Sequence, residues 1–467
     1  MGRVTHVAII GGGPGGYEAA LVAAQLGAQV TLVDSDGIGG SAVLTDCVPS
    51  KTLIATAEVM ADLEVADELG ITVHDAEGDV AKRTTVDLGK VNRRVLSLAR
   101  AQSHDIAERL DRDGIRRVAG RGRLDGTRSV VATLDDGSEE RIEADTVLVA
   151  TGAAPRTLPT AQPDGERILT WEQVYDLEER PEHLIVVGSG VTGAEFAGAY
   201  NALGLEVTLV SSRDRVLPGE DPDAAEVLEE VFKRRGMTVL GKSRMASVTR
   251  DGDRVTVALE DGREVVGSHC LLALGSVPNT ADMGLEEAGV TLGKGGFIEV
   301  DRVSRTSVQG VYAAGDCTGV FMLASVAAMQ GRIAMWHALG DAVSPLDLSI
   351  VSSNVFTAPE IATVGCSQKA VDEGEIEVEQ VMLPLATNAR AKMQGVQEGF
   401  VKMFCRPGTG IVVGGVVVAP RASELIHALS IAVAEKLTVD DLALTFTVYP
   451  SMSGSVAEAA RRLHHVR

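Results

Sequence analysis

Two stretches of this chain are near copies of one another, and that repetition narrows the folds open to it more than any other feature. Residues 7–34 read VAIIGGGPGGYEAALVAAQLGAQVTLVD, and residues 184–211 read LIVVGSGVTGAEFAGAYNALGLEVTLVS. Each is an apolar strand-like run, a glycine turn, a stretch of helical period, a further glycine (Gly27, Gly204) and a second β-branched run. That is a βαβ unit written twice, which points to an α/β chain with two Rossmann-like nucleotide-binding domains. Gly11, Gly13 and Gly16 satisfy G-x-G-x-x-G, as do Gly188, Gly190 and Gly193. In such a turn the first glycine allows the tight bend, the second lets backbone approach a pyrophosphate, and the third lets helix pack on strand. The diphosphate then lies at a helix N-terminus, where free N–H groups and the dipole favour an anion.

The residues at the end of each unit distinguish the two sites. The first ends at Asp34, with Ser35 beside it, and an acid there accepts hydrogen bonds from a ribose 2′-OH. At the same offset the second unit has Ser211, followed by Arg213 and Arg215. Without the acid a 2′-phosphate meets no repulsion, and two cations are at hand to receive it. The first unit therefore suits FAD and the second NADPH, with NADH also open.

The rest of the composition excludes several partners. At 467 residues the chain is too long for one core. A net charge of −22 disfavours nucleic acid and anionic lipid, both of which select for Lys and Arg. No apolar run is long enough to span a membrane. The five cysteines show neither CxxC nor disulfide-framework spacing, which suits a reducing, cytoplasmic setting. Four of them read as small buried hydrophobes; Cys47 is set apart by its neighbours.

Those neighbours, GGSAVLTDCVPSK at residues 39–51, resemble the active-site signature of the flavoprotein disulfide reductases, lipoamide dehydrogenase and its relatives. The resemblance extends over nearly the whole chain. VLVATG (Val147–Gly152, containing Thr151) and LLALGSVP (Leu271–Pro278, containing Gly275) are similar to the family's crossings between nucleotide domains. VYAAGD (residues 311–316) resembles its third FAD segment, implying that Asp316, after Gly315, holds the ribityl chain. LASVAAMQG, with Ala324 and Ala327, is similar to the helix whose first turn faces the flavin pyrimidine, and Gly122 aligns with a backbone contact to adenine. Lys51 and Glu195 match the ion pair beside flavin N5. Beyond about residue 346 the chain resembles an α+β dimer-interface domain. The implied layout is FAD-binding over 1–152 and 275–345, NAD(P)-binding over 153–274, and homodimer interface over 346–467.

The match fails at three positions. The family's first redox cysteine is Ala42, leaving Cys47 alone; its tail histidine is Tyr449, and the glutamate that charges that histidine is Gly454. One thiol closes no internal disulfide, and a phenol with a pKa near ~10 is a poor proton shuttle. The flavin and nicotinamide half is kept. The expectation is an FAD-dependent NAD(P)H oxidoreductase passing hydride to a quinone-type acceptor, with Tyr449 as a hydrogen-bond donor to the quinone. Cys47 is either a passive flavin contact or a redox thiol. The alternatives are a single-cysteine peroxidase or mixed-disulfide reductase using Cys47, a nicotinamide transhydrogenase, and a non-catalytic FAD redox sensor.

Overall fold

The computed structural model describes every residue except 1–3, 65, 67, 68, 72–83 and 465–467. The chain forms two compact units. One gathers Met1–Thr52, Asn92–Arg156 and Gly275–Asp347; the other gathers Leu53–Val91, Thr157–Leu274 and Leu348–Arg467. Residues 53–91 thus cluster with the second unit, although they lie inside the first segment marked out from the sequence.

In the first unit, β1 (His6–Ile10), α1 (Pro14–Gln25) and β2 (Gln29–Asp34) form the first βαβ unit. With β3 (Arg116–Ala119), β4 (Thr146–Val149) and β10 (Val311–Ala313) they build a parallel sheet of order β10-β4-β1-β2-β3. Alternate residues of β1 serve opposite faces, as period two demands. Val7 and Ile9 pack under helices with Ala19, Leu110 and Ala334, whereas Ala8 and Ile10 pack on an antiparallel meander with Leu124, Val130 and Ile142. Helix α1 opens with Pro14, a residue whose missing N–H costs nothing in a first turn, and closes at Gly27 (φ 83°).

The second unit repeats the design. Strands β5 (Ile168–Thr170), β6 (His183–Val187), β7 (Glu206–Val210), β8 (Thr238–Leu240) and β9 (His269–Leu272) form a parallel sheet of order β8-β7-β6-β9-β5. Helix α3 (Val191–Ala202) joins β6 to β7. The same unit carries a five-stranded antiparallel sheet, β11 (Ser352–Val355), β12 (Glu360–Gly365), β13 (Glu379–Pro384), β14 (Phe400–Cys405) and β15 (Val412–Ala419), in the order β11-β12-β15-β14-β13. Its inner face (Val401, Met403, Val417) packs on Ala422, Leu429 and Val456. The chain is therefore α/β with an α+β C-terminal part.

One ion cluster ties the antiparallel sheet of the second unit to the start of a helix, α4 (Pro222–Arg234). Lys402 on β14, 3% exposed, places Nζ 2.8 Å from Asp221 and 2.5 Å from Asp223. Asp221 also caps α4, accepting the N–H groups of Asp223 and Ala224.

All five cysteines are reduced thiols. Cys270, Cys317 and Cys405 are fully buried, as expected of small hydrophobes; Cys366 is only half-buried, because it follows the end of β12 rather than sitting within a strand. Among the described residues no helix is long and apolar enough to cross a membrane.

Candidate functional site

The two glycine turns have the same geometry, and each glycine serves a different physical end. A Cβ on Gly11 would lie 2.2 Å from Ala150 O, and one on Gly188 would lie 2.1 Å from Ala273 O. Both hold positive φ, 104° and 113°. A Cβ on Gly16 or Gly193 would lie 1.8 Å from the carbonyl of its own first glycine, so helix and strand touch backbone to backbone. The middle glycine differs. Gly190 has nothing within 4 Å of an added Cβ, and Gly13 has only Gly40 Cα at 4.0 Å. The first and third glycines are required by the fold; the second meets no close neighbour among the described residues and leaves open space of the kind a pyrophosphate uses.

The helix ends agree. Helices α1, α3 and α5 (Ala324–Ala338) start at Gly13, Gly190 and Leu323, and no side chain caps any of them. Their first N–H groups keep a capacity that an anion or a carbonyl oxygen can use. By contrast α4, away from any glycine turn, is capped by its own Asp221.

Around the first turn the segments singled out from sequence converge. Asp34 accepts N–H groups from Gly12 (2.6 Å), Asp36 (3.0 Å) and Gly37 (2.5 Å), which aim its carboxylate. Burial pushes its pKa up against the pull of those three donors. A Cβ on Gly12 would crowd Asp34 Oδ2 at 3.0 Å and push the carboxylate from its place. Ser35, next in the chain, is exposed. The redox segment crosses the same place: Gly39 N–H donates to Gly12 O at 2.8 Å, and a Cβ on Gly40 would touch Gly13 Cα at 2.8 Å. From the other side, a Cβ on Gly331 of α5 would meet Gly15 O at 2.1 Å, and Gly315 N–H donates to Gln330 Oε1 at 2.8 Å. Ala324 opens α5; Ala327 is buried, its Cβ 3.3 Å from where one on Gly315 would lie.

Thr151 and Gly152 are zipped to residue 279: Thr151 Oγ1 donates to Asn279 O at 2.7 Å, and Asn279 N–H donates to Gly152 O at 3.0 Å. Gly275 O takes the Arg156 N–H at 2.9 Å. Gly122 is buried, and a Cβ on it would press on Ile10 at 2.9 Å, so its smallness already has a packing reason.

Two polar residues not singled out from sequence join this site. Gln330, 1% exposed, holds the turn before Asp316. Asp46, directly before Cys47, is raised in pKa by burial and pulled back by Lys51. Asp316 is pushed up to about 6, by burial first and then by the charge of Asp46. A carboxyl whose folded pKa exceeds its unfolded value binds protons more tightly in the fold. The FAD-free protein should therefore lose stability as pH rises from about 4 to about 6. Asp46 and Asp34, shifted the same way, add to that slope. Asp316→Asn should make it shallower in thermal melts of stripped protein; an unchanged slope would assign it to other groups.

In the second unit Ser211 is fully buried, its Oγ 2.7 Å from Ser189 Oγ and accepting the Arg213 N–H at 3.1 Å. It shapes the turn from inside, its hydroxyl taken up by Ser189 and by the backbone of residues 213 and 215. Arg213 is exposed and Arg215 half-buried. Glu195, 3% exposed, accepts the Phe356 N–H at 2.8 Å.

The positions that depart from the disulfide-reductase pattern are equally defined. Ala42 lies in a short helix, Gly40–Leu44; Cys47 begins α2 (Cys47–Glu64), and Lys51 lies in its second turn. Tyr449 is 85% exposed on the single chain, with Leu444, Phe446 and Val448 bare beside it. Gly454 begins α6 (Gly454–Arg462), and a Cβ there would meet Ser451 Oγ at 3.8 Å.

Comparison with known proteins gives a consistent picture. Residues 5–331 match the profile "Pyridine nucleotide-disulphide oxidoreductase", and residues 351–460 match that family's dimerisation domain. A Mycobacterium tuberculosis protein named NAD(P)H dehydrogenase (quinone) is 57% identical over 98% of this chain and 94% of its own length. A dihydrolipoyl dehydrogenase of Chlorobaculum parvum is 34% identical over 97% of this chain and 96% of its own. Among solved structures, LpdA from Mycobacterium tuberculosis superposes with a TM-score of 0.93 at 56% identity, over 99% of this chain and 100% of that one.

Proposed function

We propose for this chain, which belongs to the pyridine nucleotide-disulphide oxidoreductase family, the activity of an FAD-dependent NAD(P)H:quinone oxidoreductase that works without a redox disulfide. The observation that carries the reading is a contrast within one molecule. Both glycine turns keep the close backbone contacts and the open second position that a dinucleotide needs, whereas Ala42, Tyr449 and Gly454 stand where a disulfide relay needs Cys, His and Glu. The relative at 57% identity, itself named a quinone-reducing dehydrogenase, points the same way.

Bound FAD would supply the hydride and electron-transfer chemistry. The chain's part is to bind, orient and charge. Gly13, Asp34 and Asp316 would hold the flavin nucleotide, while Gly190 and the arginines after β7 would hold NADPH in preference to NADH. Lys51 and Glu195 are the proposed charges along the hydride path. For a quinone the balance is simple: a hydride from the nicotinamide and one proton from solvent give the hydroquinone. No thiol exchange enters. Tyr449 sits among exposed apolar side chains of the C-terminal region, a surface of the kind that subunit contacts cover, so we read the working form as a homodimer. The five reduced cysteines suit a cytoplasmic setting.

The test is to reduce the protein anaerobically with NADPH and offer acceptors singly. Small benzo- and naphthoquinones should reoxidise it rapidly, and oxidised lipoamide, glutathione disulfide and peroxide slowly. Cys47→Ser should change quinone turnover by no more than about threefold, below ~0.7 kcal/mol of barrier. Tyr449→Phe should slow it by roughly tenfold, the worth of one hydrogen bond to the quinone oxygen. Rapid turnover with lipoamide, abolished in Cys47→Ser, would overturn the reading in favour of single-thiol chemistry.

A further inference from the structure

At the carboxyl edge of the second parallel sheet, β7 and β8 end side by side, with Val210 paired to Leu240. Their continuations stay in contact beyond the strands. Ser211 N–H donates to Leu240 O at 2.8 Å, Ser243 N–H to Ser211 O at 2.7 Å, and Lys242 N–H to Arg213 O at 2.6 Å. Residues 241–243 are thereby laid along residues 211–215. In open α/β sheets the ligand lies outside the carboxyl ends of the strands, and the end of the second strand of a βαβ unit is where the adenosine ribose is read. The outer neighbour of that strand end is Lys242.

Its backbone is unusual. Lys242 holds φ at 51°, a region that residues with a Cβ seldom occupy outside turns and functional sites. The flanks fix it there. A Cβ on Gly241 would lie 2.9 Å from Asp214 O, so the two segments touch. Ser243, 1% exposed, donates its hydroxyl to Gly241 O at 3.0 Å and takes Arg263 Nη2 at 2.6 Å. The far end of the partner loop is braced as well. Leu217, also left-handed (φ 49°) and 1% exposed, donates its N–H to Ser189 O inside the glycine turn at 2.8 Å. Residues 211–217 are thus clamped between the pyrophosphate cradle and the 241–243 segment. Through all this the Lys242 side chain is left exposed, and it makes no ion pair or hydrogen bond with a described residue. The nearest acid in sequence to the two arginines, Asp214, is likewise exposed, and its carboxylate is unpaired among the described residues.

We propose that Lys242, with Arg213 and Arg215, completes a three-cation subsite for the 2′-phosphate of NADPH and is its specificity-determining residue. The proposal rests on the NADPH reading given above. A phosphomonoester carries about −1.5 to −2 charges at neutral pH, more than one arginine neutralises. Lysine serves such a group as a compact point charge. Because the loop is already held by backbone hydrogen bonds, little ordering remains to be done when the phosphate arrives. Ser211, turned inward, offers nothing to it.

The test uses the FAD-loaded protein and fragments that never reach the flavin: 2′,5′-ADP and 5′-AMP, titrated calorimetrically. Lys242→Asn removes the charge and keeps a side chain that tolerates the left-handed backbone. It should weaken 2′,5′-ADP by about tenfold, the loss of one charge-assisted contact, and leave 5′-AMP unchanged. In steady state the KM for NADPH should rise by a similar factor with kcat and the KM for NADH unaltered, and Lys242→Arg should restore most of the loss. Lys242→Gly, also at ease at this φ, repeats the measurement with the side chain gone. Equal 2′,5′-ADP affinity in wild type, Lys242→Asn and Lys242→Gly overturns the role of Lys242 and leaves the NADPH reading standing. Equal affinity of the wild type for 2′,5′-ADP and 5′-AMP overturns the NADPH reading, and this proposal with it.

Discussion

Gly190→Ala should yield a folded, yellow protein whose flavin is bleached only by much higher concentrations of NADPH. An added methyl at this position meets no protein atom within 4 Å, so the fold has no reason to resist it. The pyrophosphate does, because the second glycine is where backbone and diphosphate come closest. The KM for NADPH should rise by roughly a hundredfold, about 2.7 kcal/mol, with the melting temperature and FAD content near wild type. Gly193→Ala should behave in the opposite way. Its methyl would lie 1.8 Å from Gly188 O, a contact that only separating α3 from β6 relieves. A loss of at least about 3 kcal/mol and poor recovery of folded protein are expected. Visible absorbance, thermal melts and NADPH titrations distinguish the two. Normal NADPH binding in Gly190→Ala would put the pyrophosphate somewhere other than this turn.

The second large effect is thermodynamic. Among the described residues, Lys402 is the only cation that contacts the Asp221 carboxylate, whose side chain is 2% exposed, and Lys402→Met removes it. Removing one partner of a buried pair typically costs about 3–5 kcal/mol, because the other is left charged and dry. The melting temperature of the second unit should fall accordingly. Lys402→Met combined with Asp221→Asn should recover much of it, since asparagine still caps α4 and carries no charge. A double variant as unstable as the single one would mean that packing, not charge, sets the cost.

The fold was legible because glycine is a loud signal. Gly11, Gly16, Gly188 and Gly193 sit where any Cβ would collide with a carbonyl, so the spacing survives as a readable motif, and the duplication states the architecture twice. Gly315 is marked differently, by a left-handed φ of 84° and a close approach to Ala327 on the helix that follows. Single polar residues are quiet by comparison. Asp46, Gln330 and Lys402 acquire their roles from burial and from neighbours brought up by tertiary contact, and no periodicity marks them. Lys242 is quieter still: its partner Arg213 lies across a strand pairing, and only the register of β7 against β8 brings the two together. Ser211 shows the reverse case. Its position in the chain pointed to the ribose, but its hydroxyl is buried and bonded to Ser189 inside the turn.

Gly454 has a consequence for how such a protein changes over time. A side chain there would meet Ser451 Oγ at 3.8 Å, an ordinary contact, so the start of α6 leaves room for one. The position can therefore change by point substitution without moving the backbone, and kinship alone is a poor guide to which acceptor a family member serves.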